Sequence, residues 1–374
     1  MKVLLLTTSG DLSGAERICA LVARGLVSRR YDVTVGCLQP RSGALLRELE
    51  ADPIRTFSLN AGGWWDPRPW KRLTRLLRAS RFDLIYTFLY HANILGRVCA
   101  RAGGRPCVVS SQHSERWESP WRNIVTRATD RWCDRVVAVS APVERFLIER
   151  VGIPAAKVVQ IPNGIDTDAF QPGPPVLSSD RDEVVIGSAA RFDAQKDHET
   201  LIVAFRFVLE ANPRVRLWLA GDGPRRHMIE RLARRLGAAD RVTFLGQVAD
   251  MPAFYRQLDT YVQSTRAEGL SLALLEAMAC ARPVVASAVG GNEQIVENDR
   301  SGVLVPPGDA LALARALSGL IDQPDRARLI AERGRRRVVE SFSASRMVDR
   351  VDALFRSLVC EGAREEPKVA DGRR

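Results

Sequence analysis

The feature that most constrains the fold is an alternation of apolar runs and helical segments that opens the chain and returns after its middle. An apolar run covers residues 2–7, a Gly/Ser turn follows at 9–14, and a helical pattern covers 15–29 before the next apolar run at 33–37. Short apolar runs that alternate with helical segments are typical of parallel sheets covered by helices. The pattern therefore predicts a doubly wound α/β domain in the first half of the chain.

The same order of elements begins again near residue 183. An apolar run at 183–188 is followed by a loop at 189–197, a helical segment at 199–209 and a further apolar run at 215–220. Between the two patterns the chain reads QPGPP, a cluster of residues that break regular structure and suit a linker. We therefore expect two domains of the same architecture.

Length and composition agree with two domains. A chain of 374 residues that is 46% hydrophobic can form two cores of ordinary size. We predict domains at residues 1–170 and 183–342, joined by a linker at 171–182. An amphipathic helix is expected at about 343–360, followed by a flexible tail at 361–374.

The stretch from Ser264 to Val285 contains two glutamates eight residues apart. The first, Glu268, lies with Gly269 in a polar loop, while residues 270–281 contain no helix breaker, so we predict a helix that begins near Ser271. The first N–H groups of a helix lack intrahelical partners and carry the positive end of its dipole. This turn is therefore predicted to bind an anion, above all a phosphate.

The second glutamate, Glu276, falls inside this predicted helix. If the span from Glu268 is helical, the two carboxylates lie at most about 12 Å apart, comparable with the distance from the sugar to the ribose of a sugar nucleotide. Two carboxylates would then bracket one diphosphate. On spacing alone a plainer interpretation is favoured, in which Glu268 caps the helix and Glu276 is a solvated helix residue.

The loop that follows the first apolar run of the second half carries two cations, Arg191 and Lys196, five residues apart. In a loop at the end of a strand, an arginine fork and a lysine point charge can converge on one diphosphate. If the loop is taken alone, a pair of surface residues in salt bridges explains the same side chains better. Both interpretations stay open at this point.

Cysteine and histidine usage argues against two kinds of site. The seven cysteines form no C-x-x-C pair and the four histidines have no partner four residues away, so neither a disulfide scaffold nor a zinc site is expected.

The start of the chain, MKVLLLTTSG, has an apolar core too short for a signal peptide or a membrane span. We expect a cytoplasmic protein.

Positive charge is concentrated in the first half of the chain. Residues 1–175 carry a net charge of +9, whereas residues 176–374 carry +2. Residues 68–81 contain six basic and no acidic side chains, interleaved with leucines and close to three tryptophans, which predicts a basic amphipathic helix. Such a helix can lie on an anionic membrane surface, but a solvated helix whose apolar stripe packs on its own sheet is slightly favoured. No recognition module supports nucleic-acid binding.

Several motifs together resemble one known family. The stretch AEGLSLALLEAMACARPVVAS, the Gly290-Gly291 turn and SGVLVPPGD after it, and the R-x4-K spacing of Arg191 and Lys196 resemble the donor site of retaining glycosyltransferases of family 4. PNGID also matches, and the loop GDLSGAE resembles the family's GGAE loop with Ser13 in place of the first glycine. YHANILGR and SSQHSERW are most similar to the branch that builds bacterial cell-surface polysaccharides.

The resemblance implies the GT-B fold, in which two doubly wound, Rossmann-like α/β domains face a central cleft. It implies that the first domain binds the acceptor, that the second binds a nucleotide sugar donor, and that the final helix packs back on the first domain. The family motifs imply catalytic roles for Arg191, Lys196, Glu268 and His113. They imply donor-binding roles for Gly14, Gly246, Val248, Gly269, Leu270, Ser271 and Glu276.

The implied reaction is transfer of a sugar, with retained configuration, from a nucleotide diphosphate sugar to a hydroxyl acceptor. No cofactor is expected, and no metal, because the cationic loop can take a metal's place at the diphosphate. The acceptor is expected to be lipid-linked, at the inner membrane face, in bacterial polysaccharide or glycolipid biosynthesis. Alternatives are a sugar-nucleotide epimerase, a phosphorylase-like enzyme, and a membrane-surface adaptor without turnover. A dinucleotide oxidoreductase is excluded because neither glycine loop carries G-x-G-x-x-G.

Overall fold

The chain divides into two units, each built around one parallel sheet. The computed structural model describes residues 1–11, 13–39, 43–63, 66–114, 120–173 and 183–365. The first unit comprises Met1–Val139, Val143–Asn163 and the segment that begins at Ala344. The second unit comprises Ser140–Pro142 and Gly164–Ser343.

The first unit contains a seven-stranded sheet whose order is β3-β2-β1-β4-β5-β6-β7. Its strands are β1 Lys2–Thr7, β2 Asp32–Cys37, β3 Arg55–Ser58, β4 Leu84–Phe88, β5 Cys107–Gln112, β6 Arg135–Ala138 and β7 Val158–Gln160. The helices between them are α1 Gly14–Ser28, α2 Ala44–Leu49, α3 Arg68–Ser80, α4 Tyr90–Ala102, α5 Trp121–Asp130 and α6 Ala141–Arg145, which continues as a π-helical turn, Phe146–Val151. The order reverses between β1 and β4, as in a doubly wound fold.

The neighbouring strands β1 and β2 are buried on both faces. The four residues from Val3 to Leu6 are fully buried, and Val33 and Val35 of the neighbouring strand are buried as well. A parallel sheet covered by helices on both sides buries both faces of its strands, so its strands read as continuous apolar runs. This burial is the reason that the sequence pattern predicted these strands.

The second unit contains a six-stranded parallel sheet of order β10-β9-β8-β11-β12-β13. Its strands are β8 Val184–Ala189, β9 Val215–Ala220, β10 Val242–Gly246, β11 Thr260–Gln263, β12 Val284–Ser287 and β13 Val303–Val305. Its helices are α7 His198–Ala211, α8 Arg226–Arg235, α9 Met251–Gln257, α10 Leu272–Ala279, α11 Asn292–Ile295, α12 Ala310–Ile321 and α13 Pro324–Ser341. Its core joins strand residues such as Leu217 and Val262 to Phe205 and Leu317 of the covering helices.

The last helix, α14 Ala344–Glu365, belongs to the first unit and packs on α1. Arg29 pairs with Asp349, and the hydroxyl of Tyr31 donates to Asp352. The helix continues past its predicted end at residue 360, because the residues that follow include good helix formers. The rest of the predicted tail, 366–374, and most of the predicted linker, 174–182, lie outside the described residues.

The basic segment forms α3, and its apolar stripe is used inside the first unit. Leu73 and Leu77 are buried, whereas Lys71, Arg75 and Arg78 are exposed. The stripe therefore packs within its own unit and leaves a basic outer face. Trp64 and Trp65, two of the tryptophans near this helix, lie outside the described residues. In the described ranges, no helix combines the length and the apolar character that crossing a membrane requires.

Candidate functional site

The order of the second sheet reverses between β8 and β11. At such a point the loops after the two strands run in opposite directions and leave a crevice at the carboxyl edge of the sheet, where open α/β sheets bind ligands. The loop after β8 carries Arg191 and Lys196, and the loop after β11 carries Glu268. The fold thus brings these two predicted segments to one position.

Lys196 and Glu268 form an ion pair across this reversal. Lys196 Nζ lies 2.5 Å from Glu268 Oε2, and the two side chains are only 20% and 12% exposed. Gln263 Nε2 also donates to the same carboxylate oxygen, at 3.4 Å. Arg191 is exposed, and no carboxylate of the described residues pairs with it. The site therefore combines a paired cation, Lys196, with a second cation, Arg191, that contacts no carboxylate of the described residues.

The two loops that carry this ion pair are tied together by polar contacts. Gln195 Nε2 donates to the carbonyl of Ala267 at 2.7 Å, and the Arg266 backbone N–H donates to the Gln195 carbonyl at 2.8 Å. The Thr265 hydroxyl donates to that same carbonyl at 3.0 Å. The sequence analysis did not single out these residues, because polar side chains in a loop give no signal of their partners. They fix the relative position of the lysine and the glutamate.

The helix after Glu268 begins where the sequence predicted. Ser271 is the N-cap of α10, and its hydroxyl accepts from the Leu274 N–H at 3.3 Å. Gln263 Nε2 donates to that hydroxyl at 2.7 Å. The cap residue is therefore Ser271, and the plainer interpretation in which Glu268 caps the helix is wrong. The positive end of this helix adjoins the loop that holds Glu268 and Gly269.

Glu276 lies inside the unit and is not a solvated helix residue. It is 5% exposed, and Tyr255, which is fully buried, donates its hydroxyl to Glu276 Oε2 at 2.9 Å. Burial and the neighbouring carboxylate raise the pKa of Tyr255 well above its ordinary value, so the phenol stays protonated and keeps donating. The second plainer interpretation, a solvated Glu276, is therefore wrong too.

The Gly290-Gly291 turn packs directly against the loop of Glu268. Gly290 has a φ of +51°, and a Cβ there would lie 1.9 Å from the Glu268 carbonyl oxygen. A Cβ on Gly291 would lie 2.2 Å from the Gly269 carbonyl oxygen, and the Gly291 N–H donates to the Glu268 carbonyl at 3.0 Å. Only glycine permits this approach of two backbones. The turn thereby packs against the backbone of the loop and supports its conformation.

Gly246 lies at the same edge, at the end of the outermost strand of the sheet, and Val248 follows it. Gly246 ends β10 with a φ of +67°, and its carbonyl accepts from the Gly221 N–H at 2.6 Å. Val248 is half-buried in the loop beyond it. Both residues are thus separated by β9 from the strand that leads to Lys196.

Two predicted residues, Gly14 and His113, belong to the first unit. Gly14 is the exposed first residue of α1, and His113 directly follows β5, at the carboxyl edge of the seven-stranded sheet. His113 Nε2 lies 2.9 Å from the Ser111 hydroxyl. Loss of water around the ring lowers the pKa of His113 to about 4, so the imidazole is neutral near pH 7.

A buried carboxylate that the sequence analysis missed also lies in the first unit. Glu16 is fully buried, and it accepts from the Thr7 hydroxyl at 3.2 Å and from the Ser13 hydroxyl. The spacing of Ser13 and Glu16 is the S-x-x-E of a capping box and could have marked the position. Here Ser13 donates to the glutamate side chain, and its own side chain forms no cap bond to the helix backbone.

The acidic side chains near this site show no grouping suited to a metal. Within the described ranges, no three His, Cys, Asp or Glu side chains are placed to hold a metal ion. The D-x-D triplet at 166–168 forms a turn, in which Asp166 Oδ1 accepts from the N–H groups of Asp168 and Ala169 at 3.0 Å each. Its first carboxylate is therefore engaged by backbone.

Two family models match this chain. The model of glycosyltransferase family 4 covers residues 12–169, and the model of glycosyl transferases group 1 covers residues 174–337. The chain belongs to the family 4, or group 1, glycosyltransferases. The predicted family is thereby confirmed, and the Lys196–Glu268 and Tyr255–Glu276 pairs lie in the part that matches the second model.

Relatives of this glycosyltransferase include enzymes of known donor and acceptor. It is 26% identical over 371 residues, 93% of this chain and 95% of the relative, to the UDP-Gal:α-D-GlcNAc-diphosphoundecaprenol α-1,3-galactosyltransferase of Escherichia coli. It is 29% identical over 266 residues, 67% of this chain and 69% of the relative, to a GDP-mannose-dependent α-(1-6)-phosphatidylinositol monomannoside mannosyltransferase of Mycolicibacterium smegmatis.

A solved structure is similar over nearly the whole length of this glycosyltransferase. It is HepE of Anabaena in complex with UDP-glucose, with a TM-score of 0.82 and 25% sequence identity, covering 96% of this chain and 100% of that one. With its seven-stranded and six-stranded sheets, the chain has the GT-B architecture that the sequence predicted.

Proposed function

We propose that this glycosyltransferase moves a sugar from a nucleotide diphosphate sugar to a hydroxyl acceptor, with retained configuration and without a metal. The observation that carries the proposal is the Lys196–Glu268 ion pair at the sheet reversal, next to the positive end of α10. The Anabaena structure with UDP-glucose supports the class of donor. Both relatives named above form α-linkages, which supports retention.

The reaction leaves negative charge on the departing diphosphate, and cations must meet it. Before the donor arrives, Lys196 is neutralised by Glu268 at 2.5 Å. A diphosphate carries more charge than one carboxylate and attracts the same ammonium, while the exposed Arg191 adds a guanidinium fork. The N–H groups from Gly269 to Ser271 add the helix dipole. Each of these donors is expected to be worth roughly 10²–10³ in rate.

The carboxylates then recognise hydroxyl groups. We assign Glu276 to the ribose hydroxyls, since Tyr255 holds one of its oxygens and so fixes the direction of the group. We assign Glu268 to hydroxyls of the sugar, and Leu270, Gly246 and Val248 to the remaining contacts with the nucleotide. No protein nucleophile is needed if the departing phosphate takes the proton of the acceptor hydroxyl.

The first unit is assigned the acceptor and two donor contacts. His113 and Gly14 keep the roles that the family motifs imply, and the neutral ring of His113 suits a hydrogen bond to a sugar hydroxyl. The acceptor is proposed to be lipid-linked, at the cytoplasmic membrane face, in bacterial polysaccharide or glycolipid synthesis. The lipid acceptors in the names of both relatives and the basic outer face of α3 support this assignment.

Calorimetric titration of the full chain with UDP, GDP and ADP tests the donor site. One nucleotide should bind, and Lys196→Ala and Glu276→Ala should both weaken it. Lys157→Ala is the matched control, because this lysine also pairs with a carboxylate, Asp130 at 3.1 Å, but in the first unit. Binding of none of the three nucleotides, or equal weakening by the control variant, would contradict the proposal.

Turnover tests the reaction itself. The chain is incubated with sugar nucleotides that carry the base identified by calorimetry. A polyprenyl diphosphate sugar serves as the acceptor. The expected product is an α-linked sugar, identified by NMR, formed at the same rate with and without a chelator. Loss of turnover in the chelator, with recovery on adding a divalent ion, would contradict the metal-free reaction. Epimerised donor without acceptor dependence would favour an epimerase.

A further inference from the structure

The first unit contains a groove that is lined by none of the residues assigned to the donor site. A cavity of about 440 Å³ runs between α3 and the edge strand β3. Its apolar lining comes from Phe57, Leu59, Leu76 and Phe82, and its basic lining includes Arg55 and Arg72. The volume falls within the range of small-molecule sites, about 300–1,000 Å³.

The floor of this groove depends on a glycine in the next strand. A Cβ on Gly36 of β2 would lie 2.4 Å from the ring of Phe57, so only the missing side chain lets that ring lie against the sheet. Strand β3 has one neighbour, β2, and is four residues long, so the groove beside it extends about 13 Å. The groove thus follows this edge strand, and the ring of Phe57 forms part of its apolar lining.

Charge is distributed unequally along the groove. At the start of β3, Arg55 pairs with Asp32, the backbone N–H of Lys2 donates to Asp83 at 2.6 Å, and the Lys2 ammonium donates to the Ser80 carbonyl at 2.7 Å. Two carboxylates there balance the charges of two basic side chains. At the other end, Arg72 Nη1 donates to the Leu59 carbonyl at 2.9 Å. No carboxylate in the described parts of the chain pairs with Arg72, so this end carries uncompensated positive charge.

We propose that this groove binds one single-chain lipid phosphate taken from a membrane. The apolar chain lies along Phe57 and Leu76, and the phosphate meets the guanidinium of Arg72. The exposed side chains of Lys71 and Arg75, on the outer face of the same helix, face the anionic surface that supplies the lipid. The proposal goes beyond sugar transfer, because it concerns a site on α3 and β3 and holds for any donor.

Titration of the full chain with dodecyl phosphate below its micellar concentration tests the site. One molecule should bind, and neither inorganic phosphate nor a neutral dodecyl glycoside should bind comparably. Arg72→Gln should weaken binding roughly 10- to 100-fold, the range for a lost charge-assisted hydrogen bond. Arg78→Gln is the matched control, because Arg78 lies on the same helix and also donates to a backbone carbonyl, that of Ala102 at 2.8 Å.

Several results would overturn this site. They are equal weakening by Arg78→Gln, equal binding of inorganic phosphate, and no binding by the wild-type chain. A second variant, Leu76→Trp, fills the groove without changing charge, and circular dichroism checks its folding. Wild-type chain should sediment with phosphatidylcholine vesicles that contain oleyl phosphate, and Leu76→Trp should not. Equal sedimentation of both, or equal binding to phosphatidylserine vesicles of the same charge, would contradict a lipid drawn into the groove.

Discussion

Replacing Glu276 with glutamine tests the proposed ribose contact, because glutamine keeps the shape of the side chain and removes its charge. The site is suited to this change, since Glu276 is only 5% exposed and Tyr255 donates to it at 2.9 Å. The phenol can donate equally to the carbonyl oxygen of a glutamine. The variant is therefore expected to fold normally, and its thermal midpoint serves as the check.

The size of the effect follows from the kind of hydrogen bond that is lost. A hydrogen bond to a charged group is worth about 1.5–3 kcal/mol, and one between neutral groups about 0.5–1.5 kcal/mol. Two ribose hydroxyls that donate to the carboxylate should therefore lose about 2–3 kcal/mol together, which raises the Kd roughly 30- to 150-fold.

The assay is a set of calorimetric titrations in which the wild-type and Glu276→Gln chains are each titrated with two ligands. The ligands are the nucleoside diphosphate that wild-type chain binds and its 2′,3′-dideoxy form, which lacks the two hydroxyls. The dideoxy ligand should bind wild-type and Glu276→Gln chains with nearly equal affinity, because this ligand has no ribose hydroxyl for residue 276 to contact. If Glu276→Gln weakens both ligands by the same factor, the glutamate acts elsewhere and the ribose assignment is refuted.

Three further predictions concern the same unit. Lys196→Met should lower kcat roughly 10²- to 10³-fold in a sugar-transfer assay, and an unchanged kcat would refute its role at the diphosphate. Gly290→Ala should abolish nucleotide binding in calorimetry, because its Cβ meets the Glu268 carbonyl at 1.9 Å; Gly308→Ala, with φ +78° and open space around it, is the control and should bind normally. Burial lowers the pKa of His198 to about 4, so between pH 4 and 6.5 the unfolded chain binds more protons and stability rises with pH, by up to about 3 kcal/mol. Denaturant unfolding at several pH values in this range should show that the free energy of unfolding of His198→Phe rises less steeply with pH than that of the wild-type chain. An identical pH dependence would contradict the assignment of this effect to His198.

The sequence by itself determined the elements that depend on neighbouring residues. Apolar runs such as 2–7 and 183–188 became the strands Lys2–Thr7 and Val184–Ala189, because both faces of a covered parallel sheet are buried. The start of α10 was readable because a serine cap bonds to a backbone N–H only three residues away, at Leu274. The edge strand β3 was not found, since four residues that read RTFS give no apolar run.

Only the tertiary structure decided which polar groups meet. Lys196 and Glu268 are 72 residues apart, and Tyr255 and Glu276 are 21 apart. The first contact exists because β8 and β11 lie side by side and reverse the strand order, and the second exists because α9 and α10 pack together. No local pattern specifies either arrangement. The spacing of the two glutamates alone favoured a cap and a solvated residue, and both expectations were wrong. Burial and pairing depend on what the rest of the chain places around a residue, so a single stretch of sequence cannot fix them.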